Sequence, residues 1–139
     1  MYLLDTNVVS EMRRRKRMAP AVAAWAGSVA PVDLYLSVLT VMELETGAML
    51  IGRRDPEQGI LLAGWIETNV LRAFDGRILP VDLSVVRRCA PMHVPDPRPV
   101  KDALIAATAL AHRLTVVTRN VRDFDGTGVA VLNPWEWPE

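Results

Sequence analysis

Four acids carry the chemistry that this chain's residue types and spacing suggest. Asp5 closes the apolar run Tyr2-Leu3-Leu4, and Glu43 follows Leu34-Tyr35-Leu36-Ser37 by a few residues. Asp102 stands at the start of an alanine-rich segment, and Asp123 follows Thr115-Val116-Val117-Thr118. Carboxylates without a Cys or His cluster suit a hard divalent cation, Mg2+ or Mn2+, bound through oxygen. His93 and His112 do not pair at a ligand spacing, and Cys89 is the single cysteine, so neither a structural zinc site nor an internal disulfide is available. Such a cation keeps several waters, one of which can attack a phosphodiester while the metal stabilises charge on the phosphate.

Each acid also has a plain structural use. Asp5 and Asp102 are candidate helix caps, with Thr6 and Asn7 equal candidates beside Asp5. Thr40-Val41-Met42-Glu43 reads as a capping box in which Glu43 bonds back to the Thr40 amide. Asp123 fits a solvated turn. One at a time these readings weigh as much as the functional ones, but together they leave the shared location of the four acids to coincidence.

That location follows from the elements. Tyr2–Leu4, Leu34–Ser37, Ile78–Val81, Thr115–Thr118 and Val129–Leu132 read as short strands, the third at an edge because Pro80 has no amide to donate. Helices are expected over Thr6–Arg17, Ala19–Val29, Val38–Ile51, Glu57–Phe74, from Asp82 to about Ala90, and over Asp102–Arg113. Ile60, Leu61, Gly64, Ile66 and Leu71 are the expected inward set of the fourth helix. The alternation implies βαβ units and a mainly parallel sheet of about five strands in an α/β fold, within one domain spanning residues 1–139. In such a sheet the strand ends and the following helix starts share one edge. Asp5, Glu43, Asp102 and Asp123 all map there. Like charges 4 Å apart cost about 4 kcal/mol at an effective dielectric near 20, so a cluster of acids calls for a counter-ion.

With 16 basic and 16 acidic residues the formal net charge is zero, which excludes a polycation and confines any nucleic-acid contact to a local patch. Arg13, Arg14 and Arg15, within the run Arg13–Arg17, are the candidate phosphate-binding rim; a solvated helix end is the plainer reading of the same run. The longest uncharged stretch, Met18–Val32, is interrupted by Pro20, Gly27 and Pro31 and is too short for a membrane span. Asp5 stands where a secretion signal needs its apolar core, so a cytoplasmic protein is expected.

Four segments together resemble a PIN-domain ribonuclease, and more narrowly a VapC-type toxin of a type II toxin–antitoxin pair. They are Leu3-Leu4-Asp5-Thr6-Asn7, Thr40-Val41-Met42-Glu43-Leu44 after Leu36-Ser37, Lys101–Ala109, and Val117–Phe124. The resemblance extends to Asn133-Pro134-Trp135. It implies a three-layer α/β/α fold, Mg2+- or Mn2+-dependent endoribonuclease activity, a cognate VapB-like antitoxin, and homodimers within larger assemblies. Carried over by position, Asp5 and Asp102 match metal-binding acids and Glu43 a third acid that points to the metal. Asp123 or Asn120 fills the fourth position. Thr6 and Thr118 hold a carboxylate or a water through their hydroxyls.

Two other classes compete. Asp5-Thr6-Asn7 loosely resembles the nucleophile loop of haloacid-dehalogenase-like phosphatases, but Asn7 stands where a second Asp is needed. A receiver-like domain needs adjacent acids on the first strand and a Lys after a later one. A catalytically silent partner-binding module would use the acids only as caps.

Overall fold

The protein is described by a computed structural model covering residues 1–138. Five strands, β1 (Tyr2–Leu4), β2 (Leu34–Ser37), β3 (Ile78–Leu79), β4 (Thr115–Val117) and β5 (Val131–Leu132), form one sheet in the order β3-β2-β1-β4-β5. Every neighbouring pair is parallel. The helices are α1 (Thr6–Arg13), α2 (Pro20–Ser28), α3 (Val38–Arg54), α4 (Pro56–Trp65), α5 (Leu83–Cys89) and α6 (Val100–His112).

Successive strand residues point to opposite faces, and both faces are apolar here, which is why the strands read as unbroken hydrophobic runs. Leu4, Leu36 and Val117 join Val8, Trp25, Ala48, Ile66 and Val70 on one face. Leu3 and Val116 join Ile105, Ala106, Ala109 and Phe124 on the other. The result is the expected three-layer α/β/α arrangement, with β3 at an edge and ending at Leu79, just before Pro80. Val85 and Cys89 of α5 close a smaller cluster against Ala103 and Ala107 of α6.

Several boundaries differ from expectation. α1 stops at Arg13, and Arg15–Arg17 form a separate 3-10 turn entered through Arg15 at φ 48°. α3 runs on to Arg54, and Asp55 then caps α4 by accepting from the Gln58 amide at 3.2 Å. The inward face of α4 is also corrected. Ile60, Leu61 and Gly64 face solvent, while Leu62, Trp65, Ile66 and Val70 pack inward, with Leu71 half-buried. Two features rotate the face. α4 lies against α3 at Gly52 and Gly59, so close that a Cβ on Gly59 would meet the Gly52 Cα at 2.5 Å. Beyond Trp65 the helix loosens into a π-helical segment, Ile66–Arg72, in which Ile66 and Val70 are buried in the core.

Candidate active site

The backbone register of β1 and β4 sets the centre of the site. Leu4 pairs with Val117, and the ladder continues one residue further because the Asp5 amide donates to the Val117 carbonyl at 2.9 Å. Asp5 therefore lies beside Thr118 at the carboxyl ends of both strands. Its Oδ1 accepts from the Thr6 amide at 2.9 Å at the start of α1. Its Oδ2 accepts from the Thr118 hydroxyl at 2.8 Å. Capping and pocket roles thus coincide in one nearly buried carboxylate, its side chain 5% exposed.

Thr118 is a junction. Besides donating to Asp5, its oxygen accepts from Asn7 Nδ2 at 3.2 Å and from the Asn120 amide at 3.0 Å. Asn7 Oδ1 in turn accepts from the Arg119 amide at 3.3 Å. These bonds fix the path of the chain after β4, where Val121–Phe124 form a 3-10 turn anchored by buried Phe124. Asp123 is thereby held at the pocket mouth.

Asp102 arrives through α6. That helix ends at Arg113 in the left-handed conformation, φ 57°, and the Leu114 amide donates back to Ala109 at 2.8 Å. The tight reversal makes α6 antiparallel to β4, so its first turn sits beside the end of the strand. Asp102 is not the cap of α6, a position occupied by Pro99. Glu43 is likewise not part of a capping box. Ser37 caps α3, its Oγ accepting from the Leu39 amide at 3.0 Å, which puts Glu43 a turn deeper than expected and frees its carboxylate for the pocket.

Asp5, Thr6, Asn7, Glu43, Asp102, Asn120 and Asp123 line one cavity of about 410 Å3, together with Pro99 and Lys101. Thr118 lies beneath it, fully buried. The arginine rim is dispersed. Arg13 stands over the Trp65 ring at 5.7 Å and lines an adjoining cleft shared with Thr6 and Glu43. Arg14 pairs with Glu11 at 3.1 Å, and Arg15 borders a different cleft with Val9 and Phe74.

Lys101 is the residue that sequence reasoning missed. Its Nζ lies 2.6 Å from Glu43 Oε1 and 3.9 Å from Oδ1 of both Asp5 and Asp102. A usable signal was present: a cation in the first turn of a helix opposes the helix dipole and needs nearby acids to justify it. Burial alone would lower the Lys101 pKa, but the Glu43 hydrogen bond and the charges of Asp5, Glu43 and Asp102 outweigh it and raise the value. Asp102 is pushed up from the usual carboxylate range, first by burial; Lys101 pulls it down, and Asp123, Asp5 and Glu43 push it further up. The 3.9 Å separation from Lys101 is too long for a hydrogen bond, which is why the pairing does not offset burial and repulsion.

Among the described residues, no three acids close into a ready-made ligand cage. Asp5, Glu43 and Asp102 lie around the Lys101 ammonium instead. The donors nevertheless fit a hard cation of the Mg2+ kind, which takes one or two carboxylates and completes its shell with water and phosphate oxygens.

Residues 2–129 match the model of the PIN domain family. The chain is 40% identical over 141 residues to Toxin FitB of Neisseria gonorrhoeae, with 97% of this chain and 99% of that protein covered. It is 38% identical to the VapC ribonuclease Y4jK of Sinorhizobium fredii, covering 98% and 99%. A crystal structure of FitAcB from Neisseria gonorrhoeae superposes with a TM-score of 0.87 at 39% identity, covering 98% of this chain and 99% of that one.

Proposed function

The chain belongs to the PIN-domain family, and from that premise we propose that it is a Mg2+- or Mn2+-dependent endoribonuclease, the toxin of a type II toxin–antitoxin pair. One observation carries the reading: acids at the end of β1, on α3, on α6 and in the turn after β4 border a single cavity at the sheet edge where α/β folds bind ligands.

Asp5 and Asp102 are the residues that would hold the cation. When bound, it supplies positive charge against the phosphoryl oxygens and acidifies water near the scissile bond. Glu43 and Asp123 reach the cavity as proton acceptors, and Thr6 and Asn120 line it as donors to water or phosphate. Thr118 and Asn7 keep the Asp5 carboxylate in one orientation, which preserves the geometry that in-line chemistry requires. Arg13 is the member of the basic run that adjoins the cavity, so it is the rim residue best placed for an RNA backbone.

The partner is a cognate VapB-like antitoxin, with a homodimer of this chain inside the assembly. The α3–α4 hairpin supports a protein partner: Met49, Leu50, Ile60 and Leu61 are exposed, and Met49 and Ile60 line an apolar cleft of about 390 Å3. Among the described residues no helix is long and apolar enough to cross a membrane. A cytoplasmic location accords with cellular RNA as substrate.

The test is to incubate the purified protein with a pool of cellular RNAs, with and without Mg2+ or Mn2+, and to map the cut ends. Metal-dependent cleavage at defined sites, lost in Asp5→Asn and Asp102→Asn, is the expected result. Cleavage by either variant at the wild-type rate would remove the assignment.

A further inference from the structure

Lys101 has no evident reason to point inward. Its side chain is 38% exposed. It also sits in the first turn of α6, where the helix dipole disfavours a positive charge. Yet the Nζ turns into the cavity and meets Asp5, Glu43 and Asp102, acids from three different elements. Among the described residues no other ion pair involves any of these three acids. The closest contact, 2.6 Å to Glu43, spans from α6 to α3 and ties the two sides of the cavity together. The Oδ1 atoms of Asp5 and Asp102 flank the same Nζ at the same distance, 3.9 Å. Two carboxylates that would share an ion therefore already share an ammonium.

We propose that Lys101 is an internal counter-ion: it occupies the cationic position of the acidic cavity and must be displaced when a divalent metal binds. The inference rests on the reading of Asp5 and Asp102 as metal-holding residues. A single positive charge relieves part of the repulsion among the acids, which keeps the cavity assembled without metal. The same charge stands against an incoming dication, because like charges at such separations repel strongly in a site partly shielded from water. Lys101 is thus antagonistic to metal binding, and the cavity fills at a higher metal concentration than its acids alone would require.

The test uses the full chain and Mn2+ alone. Calorimetric titration should show Lys101→Met binding Mn2+ on the order of tenfold more tightly than wild type, the direction set by removing a nearby like charge. Lys101→Arg, which keeps the charge, should bind like wild type. Melting temperatures give a second readout that does not depend on activity. Lys101→Met and Lys101→Gln should melt lower than wild type without metal and gain more on adding Mn2+. Equal or weaker Mn2+ binding by Lys101→Met, or an equal or smaller Mn2+-induced rise in both neutral variants, would overturn the proposal. If wild type binds Mn2+ and the neutral variants bind no tighter, only the counter-ion role is lost. If neither wild type nor the variants bind Mn2+, the metal-holding roles of Asp5 and Asp102 are lost with it.

Discussion

The Thr118 hydroxyl donates a 2.8 Å hydrogen bond to Oδ2 of Asp5, joining the ends of two adjacent strands. Its one proton and both lone pairs are committed, to Asp5, Asn7 and the Asn120 amide. Thr118→Val keeps the shape and deletes all three bonds in a buried position. A loss of about 1–3 kcal/mol of stability is expected from the partners left unsatisfied. Turnover of an RNA oligonucleotide should fall with KM little changed, because Thr118 acts by orienting Asp5. Thr118→Ser should restore both. An unaltered kcat in Thr118→Val would separate the Asp5 orientation from the reaction.

Asp5→Asn and Asp102→Asn should both abolish cleavage but move metal-free stability in opposite directions. Asp102 is desolvated and faces other carboxylates, so neutralising it should raise the melting temperature, by the equivalent of less than about 1 kcal/mol once solvent screening is allowed for. Asp5 instead accepts charge-assisted bonds from Thr6 and Thr118, so its amide variant should melt lower. Thermal melts in chelator-treated buffer check the pair. The same sign for both would show that one term, repulsion or hydrogen bonding, dominates at both positions.

Much of this was legible in the sequence, and the exceptions have separable causes. Strand ends and helix starts fixed which acids share an edge, because alternation and chain reversal leave little freedom there. The direction of a long side chain is not written locally, so the segment Lys101–Ala109 does not reveal that the Lys101 ammonium turns into the cavity. Glu43 satisfied a capping pattern that Ser37 fulfils instead, three residues before Thr40. Ile60 and Leu61 satisfied a regular helical period, but the π-helical stretch and the glycine crossing rotated the packed face away from them.

Glu11 ties the basic turn to the body of the protein. Its Oε2 accepts from the Ala19 amide at 2.7 Å and its Oε1 from Arg14 at 3.1 Å. The Ala19 bond is the main cause of a carboxyl pKa held below the ordinary 4.5; burial opposes it, and Arg14 and Arg119 reinforce it. A carboxyl with a depressed folded-state pKa contributes stability above its unfolded pKa and loses it as pH falls through the folded one. Glu11→Gln should therefore cost about 1 kcal/mol near neutrality, and the deficit should vanish in acid. Melting curves of both proteins from pH 7 downwards would show whether they converge; a constant gap would exclude the ionised Glu11 as its source.

Gly59→Ala should destabilise the α3–α4 hairpin by about 1–3 kcal/mol, since the added methyl meets backbone and cannot be relieved by a side-chain rotation. Gly64→Ala, with open space around its Cβ, should instead be neutral or stabilising by up to about 1 kcal/mol. Chemical denaturation of the two variants beside wild type checks the contrast. Equal behaviour would mean that the helices can part at no cost.

Because β1 lies between β2 and β4 in the sheet, the pairing that seats Asp5 waits for residues 115–118. A nascent chain halted before Thr115, or a fragment released by a protease upstream of it, would retain Asp5, Glu43 and even Asp102 in sequence but lack the strand that pairs with β1 and seats Asp5. Long-range pairing of this kind delays folding until distant segments meet. An incomplete copy of this chain therefore carries the acids without the scaffold that gathers them.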